Sequence, residues 1–250
     1  MKYFSVVIII ILSLAGCRRN EPDTNAPVNP PSAKGFQLLQ VFNLGSPIVE
    51  PSGLVYNSKK NCLLVVSDER TDIFEIDFEG RVTGTIPTDG DDLEGITLSP
   101  GCDTIYVTEE TRQLVTAYRY NGQKLFSFPV NVAANPAHAL EGITIDSNGD
   151  LFVLNERDPR MILQFRNNTE TGRRLIENLL DISDIFYDKT DDSFWIVSDE
   201  SASLIKTTKA GALTGQWNLS FDKGEGVAIV NDRIYIVRDS DSKMYVYSKP

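Results

Sequence analysis

Leu93-Glu94-Gly95-Ile96-Thr97 is the phrase that decides the fold. It returns as Leu140-Glu141-Gly142-Ile143-Thr144, and in looser form as Pro51-Ser52-Gly53-Leu54, Ile182-Ser183-Asp184-Ile185 and Gly224-Glu225-Gly226-Val227. Between Gly53, Gly95, Gly142, Asp184 and Gly226 the steps are 42, 47, 42 and 42 residues. A second phrase closes a β-rich run after each copy: Val66-Ser67-Asp68-Glu69, Val107-Thr108-Glu109-Glu110, Val153-Leu154-Asn155-Glu156, Val197-Ser198-Asp199-Glu200 and Val237-Arg238-Asp239-Ser240. A fixed period of this length marks a repeat architecture.

Inside one unit the β-branched and aromatic runs form four short strands. In the second unit these are predicted at 96–98, 104–108, 114–120 and 124–130, with turns at Ser99-Pro100-Gly101 and Asn121-Gly122. Four strands per unit of this length predict an all-β fold, a β-propeller of five blades with four antiparallel strands each. The last unit has only three strands, and an orphan strand at 37–44 precedes the first unit. That N-terminal strand is predicted to close the ring and remove both exposed edges. Six blades would need a unit that the sequence does not contain, and two stacked sheets would leave the period unexplained.

Ahead of the repeats lies an address. Lys2, an apolar run from Val6 to Leu14, and Leu14-Ala15-Gly16-Cys17 resemble a bacterial lipoprotein signal with its lipobox. The run is far shorter than the roughly 20 apolar residues that span a bilayer. The expectation is a signal peptide at 1–16, lipid on Cys17, a Pro-rich tether to residue 35, and a propeller domain over 36–250. At about 3 Å per residue the tether lifts the domain up to roughly 55 Å from the lipid. Arg18 is not the Asp that retains such proteins at an inner membrane, so the expected location is the cell envelope, at the outer membrane.

Against 24 Lys and Arg stand 35 Asp and Glu, a net charge of −11. That sign argues against nucleic acid as a partner. Three Cys make no disulfide scaffold, and with a single His, His138, no imidazole-based zinc site or hydrolytic triad is assembled without it. The chain is expected to be a monomer whose partners are the membrane, through Cys17, and a small molecule or protein on an acidic rim.

That rim follows from the topology. The inner strand of each blade starts on the face to which the second strand returns. One ring therefore reads Ser52, Glu94, Glu141, Ser183 and Glu225, with Asp184 displaced by one. Around it lie Asp68, Glu109, Asn155, Asp199 and Asp239, then Glu69, Glu110, Glu156 and Glu200. Glutamates about 6 Å apart at an effective dielectric near 20 repel by roughly 3 kcal/mol per pair. The repulsion must be offset by protonation, by Arg70, Arg112, Arg157 or Lys223, by backbone amides, or by a bound cation. Oxygen-only ligands suit calcium. The alternative is that each Glu only caps a neighbouring blade's amides.

The lipobox, the Leu-Glu-Gly-Ile units at 93–96 and 140–143 and the Ser-Asp-Glu strand ends resemble the SdiA-regulated family of envelope β-propellers, related to calcium-dependent β-propeller phytases. The resemblance implies axial acidic residues, calcium, and phosphoester hydrolysis as an activity to test. Glu94, Glu141 and Glu225 match its motif as candidate metal ligands; Ser52 and Ser183 depart from it. The leading expectation is a noncatalytic calcium-binding propeller, with a calcium-dependent phosphoesterase and a purely structural lipoprotein as alternatives. His138, in the longest connection between units, either reaches the rim or is solvated. Cys62 and Cys102 occupy matching turns on the opposite face, as a disulfide between blades one and two or as two small separate thiols.

Overall fold

The computed structural model describes residues 35–132, 138–177 and 179–250. The expected signal peptide, Cys17 and the expected tether up to residue 34 lie outside the described residues. Blade one consists of β2 (Pro51–Asn57), β3 (Cys62–Ser67), β4 (Arg70–Ile76) and β5 (Val82–Ile86). Blade two holds β6 (Leu93–Leu98), β7 (Thr104–Glu109), β8 (Leu114–Arg119) and β9 (Lys124–Pro129). Blade three holds β10 (Leu140–Ile145), β11 (Leu151–Asn155), β12 (Met161–Arg166) and β13 (Thr169–Leu175). Blade four holds β14 (Asp184–Asp188), β15 (Ser193–Ser198), β16 (Ser203–Thr208) and β17 (Leu213–Asn218). In blade five, β18 (Gly224–Val230), β19 (Arg233–Arg238) and β20 (Lys243–Ser248) are completed by β1 (Leu38–Asn43). The predicted five-bladed, all-β ring and its closure by the N-terminal strand are both present.

Closure rests on antiparallel pairing from Leu38 opposite Tyr247 to Asn43 opposite Lys243. Phe36, just before β1, stacks on Tyr247 with ring centroids 4.4 Å apart.

The second strands show why the blades pack as they do. Each is covered by neighbouring blades on both faces, so it reads as a continuous apolar run rather than an alternating one. Leu63-Leu64-Val65-Val66 on β3 and Phe194-Trp195-Ile196-Val197 on β15 are buried throughout. The core is accordingly five wedges between adjacent blades. Trp195 belongs to the wedge between blades four and five, where it stacks on Trp217 at 5.0 Å.

The repeated glycine has a steric cause. The inner strands β2, β6, β10, β14 and β18 neighbour one another around the axis. A Cβ on Gly95 would lie 2.6 Å from the Glu141 carbonyl oxygen and 2.8 Å from the Ile143 nitrogen. A Cβ on Gly53 would lie 2.5 Å from the Glu94 carbonyl oxygen. Backbone meets backbone there, and no side chain fits between.

Candidate functional site

The inner strands begin earlier than their β-propensity indicates. β6 starts at Leu93, which pairs with Glu109, and the ladder then skips to Ile96 opposite Val107. The same irregularity separates Pro51 from Gly53, Leu140 from Ile143 and Gly224 from Gly226. Each bulge lifts one residue out of the ladder and re-aims its side chain. Those residues are Ser52, Glu94, Glu141 and Glu225, and all four line one cavity of about 240 Å³ at the mouth of the channel. Ser183 of blade four joins them.

Asp68, Glu110, Glu156, Asp199 and Asp239 form a second ring around the same cavity. Glu109 and Asn155 do not reach it. Successive side chains of a strand point to opposite faces, and these two turn back into their own blades. Buried Glu109 pairs with Arg112 at 2.7 Å and accepts the Thr116 hydroxyl. Asn155 donates to the carbonyls of Arg157 and Pro159 at 3.0 and 2.8 Å. The equivalent positions are set by pairing, not by the Ser-Asp-Glu wording: Ser67, Glu109, Asn155 and Arg238 each pair with the residue just before the bulged one. The cavity acid is always the next residue. Glu69 and Glu200 also fall outside the lining, Glu200 pairing with Arg157 at 2.7 Å.

Asp184 lies deeper. It occupies the glycine position of blade four, wholly buried in the channel, and its carboxylate accepts the amides of Ile185 and Val227, each at 2.8 Å. The cavity lining thus contains Ser183 but not Asp184.

Three further acids were not legible in the phrases alone. Glu50 and Asp181 line the cavity, and the Asp92 carboxylate lies against it. Each stands two residues before its blade's ring position, and Lys223 holds that place in blade five. Glu50, Asp92 and Lys223 share a left-handed backbone, with φ of 45°, 57° and 62°. Aligning the units two residues upstream of the ring would have found them.

Hydrogen bonds fix the walls. Thr108 accepts the Gly95 amide at 2.6 Å and donates to the Glu141 carbonyl at 2.5 Å, joining blades two and three. Glu110 Oε1 accepts the Ala139 amide at 3.1 Å, and Asp92 Oδ2 accepts the Thr111 amide at 2.9 Å. Among the described residues three basic side chains face the cavity, each beside a carboxylate. Arg157 Nε donates to Glu156 at 2.8 Å, Lys223 Nζ lies 2.9 Å from Asp199, and His138 Nδ1 lies 3.2 Å from Glu156. Arg112 is committed to Glu109, and Arg160 donates to the carbonyls of Ile176 and Leu180.

Crowding and burial push the carboxyls upward. Burial holds Glu94 and Glu141 well above the usual carboxylate range, with added repulsion from Asp68 on Glu94 and from Glu94 on Glu141. Glu225 is raised to about 8 by burial and Asp199, Glu110 to about 7 by burial foremost, and Asp68 to about 6 for the same reason. Two carboxylate triads meet here, Asp92-Glu94-Glu110 and Glu110-Glu141-Glu156. In each, one oxygen per residue lies within 4.8 Å of the others, and Glu110 belongs to both. Glu225 sits in the same cavity but outside either triad. A donor set made only of carboxylates, short of countercharge, fits a hard divalent cation.

The SdiA-regulated family model matches residues 46–250. The chain belongs to the SdiA-regulated family. Among solved structures, this SdiA-regulated propeller is similar to the glutaminyl cyclase of Myxococcus xanthus, with a TM-score of 0.69, 12% identity, and 85% of this chain and 95% of that one covered. It is also similar to the gluconolactonase XC5397 of Xanthomonas campestris, with a TM-score of 0.57, 9% identity, and 88% and 97% covered. At these identities the likeness is one of fold.

The opposite face corrects the proposed cross-link. Cys62 and Cys102 are both free. The buried Cys62 thiol lies 3.8 Å from Glu75 Oε1 in its own blade, whereas Cys102 lies 3.6 Å from Ser58 Oγ. The matching turns bring the two residues to one face but aim their sulfurs at different partners.

Proposed function

We propose that this SdiA-regulated propeller is a lipid-anchored envelope protein whose axial cavity binds calcium and, through it, a ligand or partner, without catalysing a reaction. The observation that carries the reading is the pair of carboxylate triads joined at Glu110. Like charges packed this closely cost several kcal/mol when ionised, and Arg157, Lys223 and His138 are already committed to individual carboxylates. Asp92, Glu94, Glu110, Glu141 and Glu156 would hold the cation, with Glu110 common to both halves. Calcium takes six to eight oxygens, more than three monodentate carboxylates supply. The remainder is left for a carboxylate or phosphate of the ligand. The anchor reading is supported by the lipobox sequence ending at Cys17 and by the Pro-rich stretch that follows it.

The test is a melting comparison of the mature chain with 2 equivalents of chelator and with excess calcium. A ligand at about 100 times its dissociation constant adds about 2.7 kcal/mol. For a chain this size each kcal/mol moves the midpoint by about 2 to 4 °C. Equal midpoints would favour a structural lipoprotein instead.

Calcium-dependent phosphoester hydrolysis is the second reading, because Arg157 and Lys223 face the same cavity as the carboxylates. Their existing pairs with Glu156 and Asp199 count against it. Phosphate release from a chromogenic monoester with calcium, lost in Glu94→Ala, would favour the enzyme.

A further inference from the structure

Two residues before its cavity acid, the second strand of each blade carries Val66, Thr108, Leu154, Val197 or Val237, and all five side chains are wholly buried. An apolar residue satisfies the packing in four blades, so the hydroxyl of Thr108 in blade two has another cause. Two junctions between blades show what it does. Between blades three and four the Gly142 amide donates directly to the Ser183 carbonyl at 2.8 Å. Between blades two and three the matching Gly95 amide donates to Thr108 Oγ1 at 2.6 Å, and that hydroxyl donates in turn to the Glu141 carbonyl at 2.5 Å. β7 lies against β10 here, so Thr108 sets one oxygen between two inner strands.

The groups tied by this hydroxyl are the peptide that follows Glu94 and the carbonyl of Glu141 itself. Glu94 belongs to one carboxylate triad and Glu141 to the other. Of the five blades, two and three are the only neighbours with glutamate at both ring positions. The inserted hydroxyl thus stands at the one junction where two ring glutamates meet. Calcium takes its oxygens at about 2.3–2.6 Å, and ligands are held to that geometry by the groups that fix their own backbone and side chains. Removing such a supporting partner typically costs about 10- to 100-fold in metal affinity.

We propose that Thr108 is a positioning residue of the cation site, its hydroxyl spacing the inner strands of blades two and three so that both triads present their oxygens together. The inference rests on the calcium reading above. Thr108→Val keeps the side chain's shape, and Val stands at this place in blades one, four and five. The Gly95 amide and Glu141 carbonyl then stay unpaired or close on each other as Gly142 and Ser183 do, and either outcome moves the glutamates. The experiment is calorimetric titration of calcium into the mature chain and its variants, with melting in chelator alongside. Thr108→Val is expected to weaken calcium binding at least tenfold, and Thr108→Ser, which keeps the hydroxyl, to stay within about threefold of wild type. Thr116→Val is the control, because its hydroxyl bonds Glu109 and Ser127 and not an inner strand. It is expected to lower the melting point in chelator and leave the isotherm unchanged. Should Thr108→Val not fold, Thr108→Cys, a weaker donor, carries the same expectation of weakened binding. An unchanged isotherm in Thr108→Val, a Thr108→Ser as weak as Thr108→Val, or equal weakening by Thr116→Val would overturn the proposal. No heat in wild type would remove the calcium reading itself, and this inference with it.

Discussion

Asp184 Oδ2 accepts the amide of Val227 at 2.8 Å, so a side chain of blade four is bonded to the inner strand of blade five across the channel. Its other oxygen takes the Ile185 amide, and the Leu54 amide of blade one bonds the same carboxylate. The four other blades carry glycine at this position. Asp184→Ala leaves buried amides unpaired, at about 1 to 3 kcal/mol for each orphaned group. Urea denaturation is expected to show a loss of about 3 kcal/mol or more for Asp184→Ala and a smaller loss for Asp184→Asn, which keeps one acceptor. Equal losses would mean that the hydrogen bonds are not what holds the blades here.

Gly95→Ala tests the contact between inner strands. Its new methyl would meet two backbone atoms, at 2.6 and 2.8 Å, and backbone cannot rotate away. Overpacking of this kind typically costs 1 to 3 kcal/mol. Thermal melting should place Gly95→Ala below wild type by at least several degrees, while Gly149→Ala, whose Cβ would meet nothing within 4 Å, pays only for its left-handed backbone.

A third expectation concerns pH. Glu225, Glu110 and Asp68 titrate at about 8, 7 and 6 in the folded chain and near 4 when unfolded. Over that window the folded state holds more protons, so its stability is full below about pH 4 and falls as pH rises to 8. Carboxylates held low by partners, such as Asp188 at about 2 beside Lys249, act only at more acid pH. The chelated protein should therefore lose melting temperature steadily from pH 5 to 8, and calcium, which binds the ionised carboxylates, should flatten the slope. A level profile in chelator would contradict the crowding described for the cavity.

Ring closure gives a fourth. Phe36 stacks on Tyr247 and lies 6.0 Å from Trp217, outside the paired strand but against the seam. Removing a partly buried ring here should cost about 2 kcal/mol. Hydrogen exchange of Phe36→Ala should then rise first in β1 and β20; a uniform rise over all blades would show that the seam is not the weak point.

The blades were legible because their cause is local. The apolar runs of β3 and β15, the turn residues and the recurrent glycine are each dictated within one unit, and the missing fourth strand of blade five pointed to β1. The ring of Glu94, Glu141 and Glu225 was legible for the same reason. The second ring was legible only to within one residue, because Glu109 and Glu110 are both acidic and only strand pairing says which one faces the cavity. Asp184 misleads for a related reason: it looks like one more acid of the rim, yet it stands where glycine belongs and bonds amides instead. Glu50, Asp92 and Asp181 were hidden because their position is defined by a left-handed turn or a connection, not by a recurring word.

The central claim is that Glu110 links two carboxylate triads into one cation site. Titration calorimetry of calcium into the mature chain, with Glu110→Gln alongside, tests it most directly. Saturable heat in wild type, lost or weakened at least tenfold in Glu110→Gln with the melting curve in chelator unimpaired, is the predicted result; no heat in wild type, or the same isotherm in both proteins, would contradict it.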